Sequence, residues 1–179
     1  QIMRENFVKL DLLEFVLDNT RKIKADSSNI AVISVQHIIE TTGSLFDCFI
    51  RLGIPADNIL LMGKLYSTNL KIATLIESFG IEVSKSTDGN LPGTYYDGGV
   101  LISTVPEAIL QKYCVIAVEQ TTSGIELNKE GAVSIISVAG SAVKRFIEPS
   151  FISQAVIAKA RKYLLNYNPT RIAIFGTGN

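Results

Sequence analysis

The chain has 179 residues, 47% of them hydrophobic and 19% charged, with a mean hydropathy of +0.28. That is enough apolar material for a buried core and too much for a disordered chain. Its 17 Lys and Arg match its 17 Asp and Glu, so the basic excess that draws proteins to nucleic acid or anionic lipid is missing. The longest apolar runs, such as Ile59 to Met62 and Cys114 to Val118, fall far short of the roughly 20 residues that cross a bilayer. Gln1 to Asn6 lack the basic-then-apolar pattern of a signal segment, and Cys48 and Cys114 stand apart without metal-ligand spacing. The expectation is a reduced, cytoplasmic protein with no metal site and no nucleic-acid or membrane partner.

Phe7, Leu10, Leu13, Val16 and Leu17 recur at three- and four-residue steps, which predicts an amphipathic helix running to about Lys24. Asp26 to Asn29 break that pattern. Ile30 to Val35 is a β-branched, nearly continuous apolar run, the reading of a strand buried on both faces. The alternation repeats, with Leu45 to Leu52 as helix, Asn58 to Met62 as strand, Thr68 to Phe79 as helix and Ile81 to Val83 as strand. Strands and helices in this cadence predict a parallel sheet covered by helices.

Ser84 to Gly99 is dense in turn formers, notably Asp88-Gly89-Asn90 and Asp97-Gly98-Gly99, and reads as a long functional loop. Val105 to Tyr113 then predicts a helix, and Cys114 to Val118 and Val133 to Val138 predict strands. Glu148-Pro149-Ser150 opens a long helix to about Tyr167, with Pro at a first helical position and Ile152, Val156, Ala160 and Leu164 recurring every four residues. Arg171 to Phe175 reads as a strand. Gly176-Thr177-Gly178 then begins the glycine-rich turn that sets a dinucleotide pyrophosphate on a helix N-terminus, although an ordinary strand-to-helix turn has the same G-x-G.

Several side chains stand where chemistry is done in such folds. Glu119 to Gly124 follows a predicted buried strand, and ligand crevices lie beyond the carboxyl ends of parallel strands. A capped turn, with Thr and Ser satisfying the local backbone, is the structural alternative. His37, the sole histidine, ends a predicted strand and suits acid/base work near neutral pH; a hydrogen-bonded structural histidine fits equally well. Asp97 reads as a turn residue or an acid/base group, and Lys144 as a solvated charge or a base.

In order along the chain these segments resemble the adenosylhomocysteinases. Gln36-His37 resembles the L-H of that family's L-H-M-T, Tyr66-Ser67-Thr68-Asn69 its F-S-T-Q, and Asp97-Gly98-Gly99 the end of its D-D-G-G. Glu119 to Gly124 resembles E-E-T-T-T-G, Ser141 to Lys144 resembles S-V-T-K, and Phe175 to Asn179 falls where the family has G-Y-G-D-V-G. The likeness runs from about His37 to Asn179.

The resemblance implies an α/β fold in three parts. Residues 1–140 would form a three-layer α/β/α, Rossmann-like substrate domain with a mostly parallel sheet, 141–168 a connecting helical segment, and 169–179 the start of an NAD-binding Rossmann domain. It also implies a cycle in which NAD oxidises a ribose 3′-hydroxyl, homocysteine is eliminated, water adds and the hydride returns. Asp97 and Lys144 would serve the proton transfers and His37 the departing thiolate. Gln120, Ser67, Thr41 and Glu148 would hold a small nucleoside substrate, while Thr121, Thr122, Ser123, Gly176 and Gly178 would hold NAD. A homo-oligomer is expected. Departures from the pattern include Gln120 for the second Glu of E-E-T-T-T-G, Ala139-Gly140 for Asn-Asp, Glu148-Pro149 for Asp-Asn, Ser153 for Cys, Ile39 for Thr, Lys64 for Asn and Tyr96 for Asp. They leave two alternatives open: a non-hydrolytic NAD-binding regulator or scaffold, and an α/β domain with no cofactor of its own.

Overall fold

The computed structural model describes residues 6–21, 26–84, 115–121 and 133–167, with Lys112, Arg171 and Ala173. It divides into two units, Gln1–Tyr96 and Asp97–Asn179. The first opens with helix α1 (Asp11–Thr20), in which Leu17 is fully buried and Asp11 and Glu14 lie in the first turn, where negative charge suits the helix dipole. It stops short of the expected Lys24. The side chains of Asn19 and Thr20 turn back to donate to the carbonyls of Phe15 and Val16, each at 2.8 Å.

Strand β1 (Val32–Ile38), helix α2 (Glu40–Arg51), strand β2 (Ile59–Thr68), helix α3 (Leu70–Glu77) and strand β3 (Glu82–Ser84) follow. The strands form one sheet in the order β1-β2-β3, both pairings parallel, with Val32 opposite Ile59 and Leu60 opposite Glu82. Two right-handed crossovers between successive neighbouring strands bring α2 and α3 to the same face. The core lies under them: Ile38, Ile59, Leu61 and Val83 meet Phe46 of α2 and Ala73 and Ile76 of α3. The end of α2 has Gly53 at φ +97, a conformation costly for other L-residues, with its N–H donating to Ile50 O at 2.9 Å.

β1 does not match its expected burial on both faces. Ile38 is fully buried, yet Ile33 is 55% exposed. A β-branched run satisfies strand propensity whether one face is covered or two, so composition alone does not separate the cases.

In the second unit β4 (Ile116–Glu119) and β5 (Ser134–Ser137) pair in parallel, Glu119 opposite Ser137. Helix α4 spans Glu148–Tyr167 as expected, but Pro149 is not at the start of the helical path. A π-helical turn, Val143–Ile147, runs directly into it. Within an α-helix the Pro149 ring would clash with the carbonyl four residues back. The wider π turn before Pro149 relieves that conflict.

Parallel strands joined through helices make this an α/β fold of the Rossmann-like class. Among the described residues, no helix is long and apolar enough to cross a membrane.

Candidate functional site

The carboxyl ends of β1 and β2 carry the most developed polar group of the first unit. Registry across the pair runs Gln36 to Gly63 and then Ile38 to Thr68, so four residues of β2, Lys64 to Ser67, face one of β1, His37. Such an excursion bends a strand and re-aims its side chains. Its base is closed by Thr68 Oγ1, which donates to Lys64 O at 2.8 Å, and by the Asn69 N–H, which donates to Ile38 O at 2.9 Å. Gly63 sits where a Cβ would meet the side chains of Thr68 and Ile38.

The excursion sets Tyr66 and Ser67 against His37. Ser67 Oγ lies 2.5 Å from His37 Nδ1, and the Tyr66 ring meets the imidazole edge-on with centroids 5.6 Å apart. Beneath the ring, Thr42 Oγ1 donates to His37 O at 2.5 Å and accepts from the Ile39 N–H at 3.1 Å. Ile39 precedes α2 and has no side-chain oxygen to cap it, so Thr42, in the first turn, ties the helix start to the strand end. Thr41 is exposed in that same turn. Asn69 caps α3, accepting from Lys71 N and Ile72 N at 3.0 and 3.4 Å. His37 and Ser67, 30 positions apart in two separate motifs, are thus hydrogen-bonded neighbours. Thr42 and Tyr66 complete the group. A Thr in the first turn after an apolar cap position was the available signal for Thr42; nothing in strand periodicity announced the Tyr66 contact.

In the second unit Glu119 ends β4 and is 4% exposed. Its Oε1 accepts from both the N–H and the Oγ1 of Thr121, each at 2.8 Å. Gln120 between them is exposed. Lys144 lies in the π turn, where its backbone N–H donates to Ser141 Oγ at 3.3 Å. Its Nζ is paired with Glu148 at 2.9 Å, each side chain about one-third exposed (35% and 34%). Two residues expected in one site are therefore partners of each other, and Lys144 enters a proton transfer only by releasing Glu148. Asp97, Thr122, Ser123, Gly176 and Gly178 lie outside the described residues.

A pocket between α1 and α2 is lined by Phe7, Leu13, Glu14, Asp47, Cys48 and Arg51. Its charges satisfy one another. Arg51 donates to both oxygens of Glu14 at 2.6 and 2.9 Å and to Asp47 at 3.4 Å. The Glu14 hydrogen bond, above all, holds the guanidinium above its ordinary range. This is a clamp between two helices and is not a reactive site. Among the described residues, no group of three or more His, Cys, Asp or Glu side chains is placed to hold a metal ion.

No family model and no solved structure matches the chain. It is similar to the uncharacterized proteins MT0113 and Rv0104 of two Mycobacterium tuberculosis strains, each 24% identical over 164 residues, covering 73% of this chain. The match spans 32% of the length of those relatives.

Proposed function

We propose that this chain is the substrate-side α/β portion of an adenosylhomocysteinase-like protein, acting on a nucleoside thioether with NAD as cofactor. The observation that supports it best is the His37 to Ser67 hydrogen bond, because it joins two of the resembled motifs at the carboxyl ends of adjacent parallel strands, where α/β folds bind ligands. His37 is exposed there and would donate a hydrogen bond to the departing thiolate. Glu148 would reach the ribose on separating from Lys144, and Gln120 would supply an amide where the family has a carboxylate.

For NAD, Thr121 is the residue that the structure describes. Its hydroxyl proton is given to Glu119, which leaves the oxygen lone pairs able to accept from a carboxamide NH₂, so its donor and acceptor set fits the nicotinamide end. Bound NAD would supply hydride chemistry at the ribose 3′ carbon; the chain's part is to orient the sugar and handle protons. NAD itself, the nucleoside substrate and a homo-oligomer all belong to this proposal.

A non-hydrolytic regulator or scaffold is the second reading, favoured by the Lys144 to Glu148 ion pair. Calorimetric titration with adenosine separates the two. The hydrolase-like reading expects binding by the chain, weakened about tenfold by His37→Ala, the loss expected for one hydrogen bond near the upper end of its usual worth. No adenosine binding by the wild type would defeat the nucleoside reading.

A further inference from the structure

The imidazole of His37 is restrained from three directions. Thr42 holds its carbonyl, Tyr66 flanks its ring and Ser67 meets Nδ1. The third restraint is chemically different from the others, because a neutral imidazole has one protonated nitrogen and its partners decide which one. Among the described residues, His37 is the sole hydrogen-bond partner of the Ser67 hydroxyl, and Nε2 has no partner. The hydroxyl proton therefore has one protein acceptor within reach, and that acceptor is Nδ1.

We infer that Ser67 is a positioning residue for His37, its hydroxyl donating to Nδ1 and holding the neutral ring as the Nε2–H tautomer. Nε2 is then presented to the site as a donor and not as a base. If the ring takes up a proton, Nδ1–H donates and the same hydroxyl turns to accept, so the contact survives both protonation states. The role of Ser67 thereby moves from holding substrate to setting what His37 offers it. That Nε2–H would serve a leaving thiolate rests on the proposed function; the tautomer assignment rests on the geometry alone.

The excursion in β2 is what makes this contact available. In an unbroken parallel register the residue of β2 beside His37 would be Lys64, one step beyond the Gln36 to Gly63 pair. Lys64 carries no hydroxyl. The added residues bring a short hydroxyl side chain to the ring in place of a long amine.

His37 is the only histidine, so its two ring nitrogens give the only imidazole signals and need no assignment. The test is a long-range ¹H–¹⁵N correlation spectrum of the histidine-labelled chain, recorded without ligand well above the ordinary histidine pKa of about 6.5. The wild type should show a pyrrole-type shift at Nε2 and a pyridine-type shift at Nδ1. In Ser67→Ala the two shifts should move toward each other as the Nδ1–H form gains population, and Ser67→Thr, which keeps the hydroxyl, should restore the wild-type pattern. A wild-type spectrum dominated by Nδ1–H overturns the inference without any variant. An unchanged spectrum in a folded Ser67→Ala protein, verified by amide dispersion, overturns it as well. Because no ligand is present, failure to bind adenosine counts against the proposed function and leaves this result standing.

Discussion

Cys48 shows how one side chain's surroundings set a pH response. It lies on the inner face of α2, 5% exposed, with its Sγ 4.0 Å from Leu13 O. Burial, the largest influence, pushes the thiol above its ordinary value of 9.0; Arg51 opposes this, while Asp47 and Glu14 add to it. The sign follows from proton counting. As pH climbs past 9.0 the unfolded chain gives up this proton before the folded one does, so unfolding becomes easier. The contribution is complete below 9.0 and is lost as pH rises through the folded value. Urea unfolding as a function of pH should therefore fall less steeply above pH 9.0 in Cys48→Ala than in wild type. The two slopes should agree below it. Identical slopes throughout would show that the thiol is not shielded from ionising.

At the scale of elements, what could be read in advance depended on whether a pattern was local. Helix α4 was legible because four-residue spacing and the break at Asn168 bound it, and the strands of the first sheet because β-branched runs alternate with helical periods. The start of α2 was not, since Glu40 to Ser44 is polar and small and its helicity depends on Thr42 bonding to the strand end. Nor was the β2 excursion, which exists only in the pairing of two strands far apart in sequence. His37 and Ser67 could be singled out as separate candidates, yet their contact was hidden with that pairing. Gly63 is the element's weak point. A Cβ there would lie 2.9 Å from Cδ1 of the fully buried Ile38 and closer still to Thr68 Oγ1. Gly63→Ala should therefore cost about 1–3 kcal/mol, the usual penalty for overpacking, outweighing the gain in strand propensity. It should also broaden or shift the His37 ring signals, because the displaced Thr68 closes the excursion that carries Ser67. A Gly63→Ala protein of wild-type stability with unchanged ring signals would mean that the excursion does not depend on this close packing.

Across the whole molecule, stability is distributed very unevenly among the described residues. The cluster of Ile38, Phe46, Ile54, Ile59, Leu61, Ala73, Ile76, Ile81 and Val83 lies entirely in the first unit. Helix α4, by contrast, is 20 residues long with none buried, and Phe151, Ile152, Val156, Tyr163 and Leu165 are 54–84% exposed. Most helical stability in proteins comes from packing an apolar face, and an isolated helix of this length is marginal in water. Opening of α4 therefore exposes little new apolar surface, whereas opening β2 uncovers the core. Hydrogen exchange measures that difference directly. Amides of Leu61 and Ile38 should exchange only through global unfolding, with protection tracking the urea-derived stability. Those of Val156 to Leu164 should exchange orders of magnitude faster and respond little to a core truncation such as Ile76→Ala. If α4 instead showed protection equal to β2, its apolar face would have to be covered in solution by another surface. Dilution would then tell whether that surface is a second copy of the chain, because protection gained by self-association declines with concentration while intramolecular protection does not.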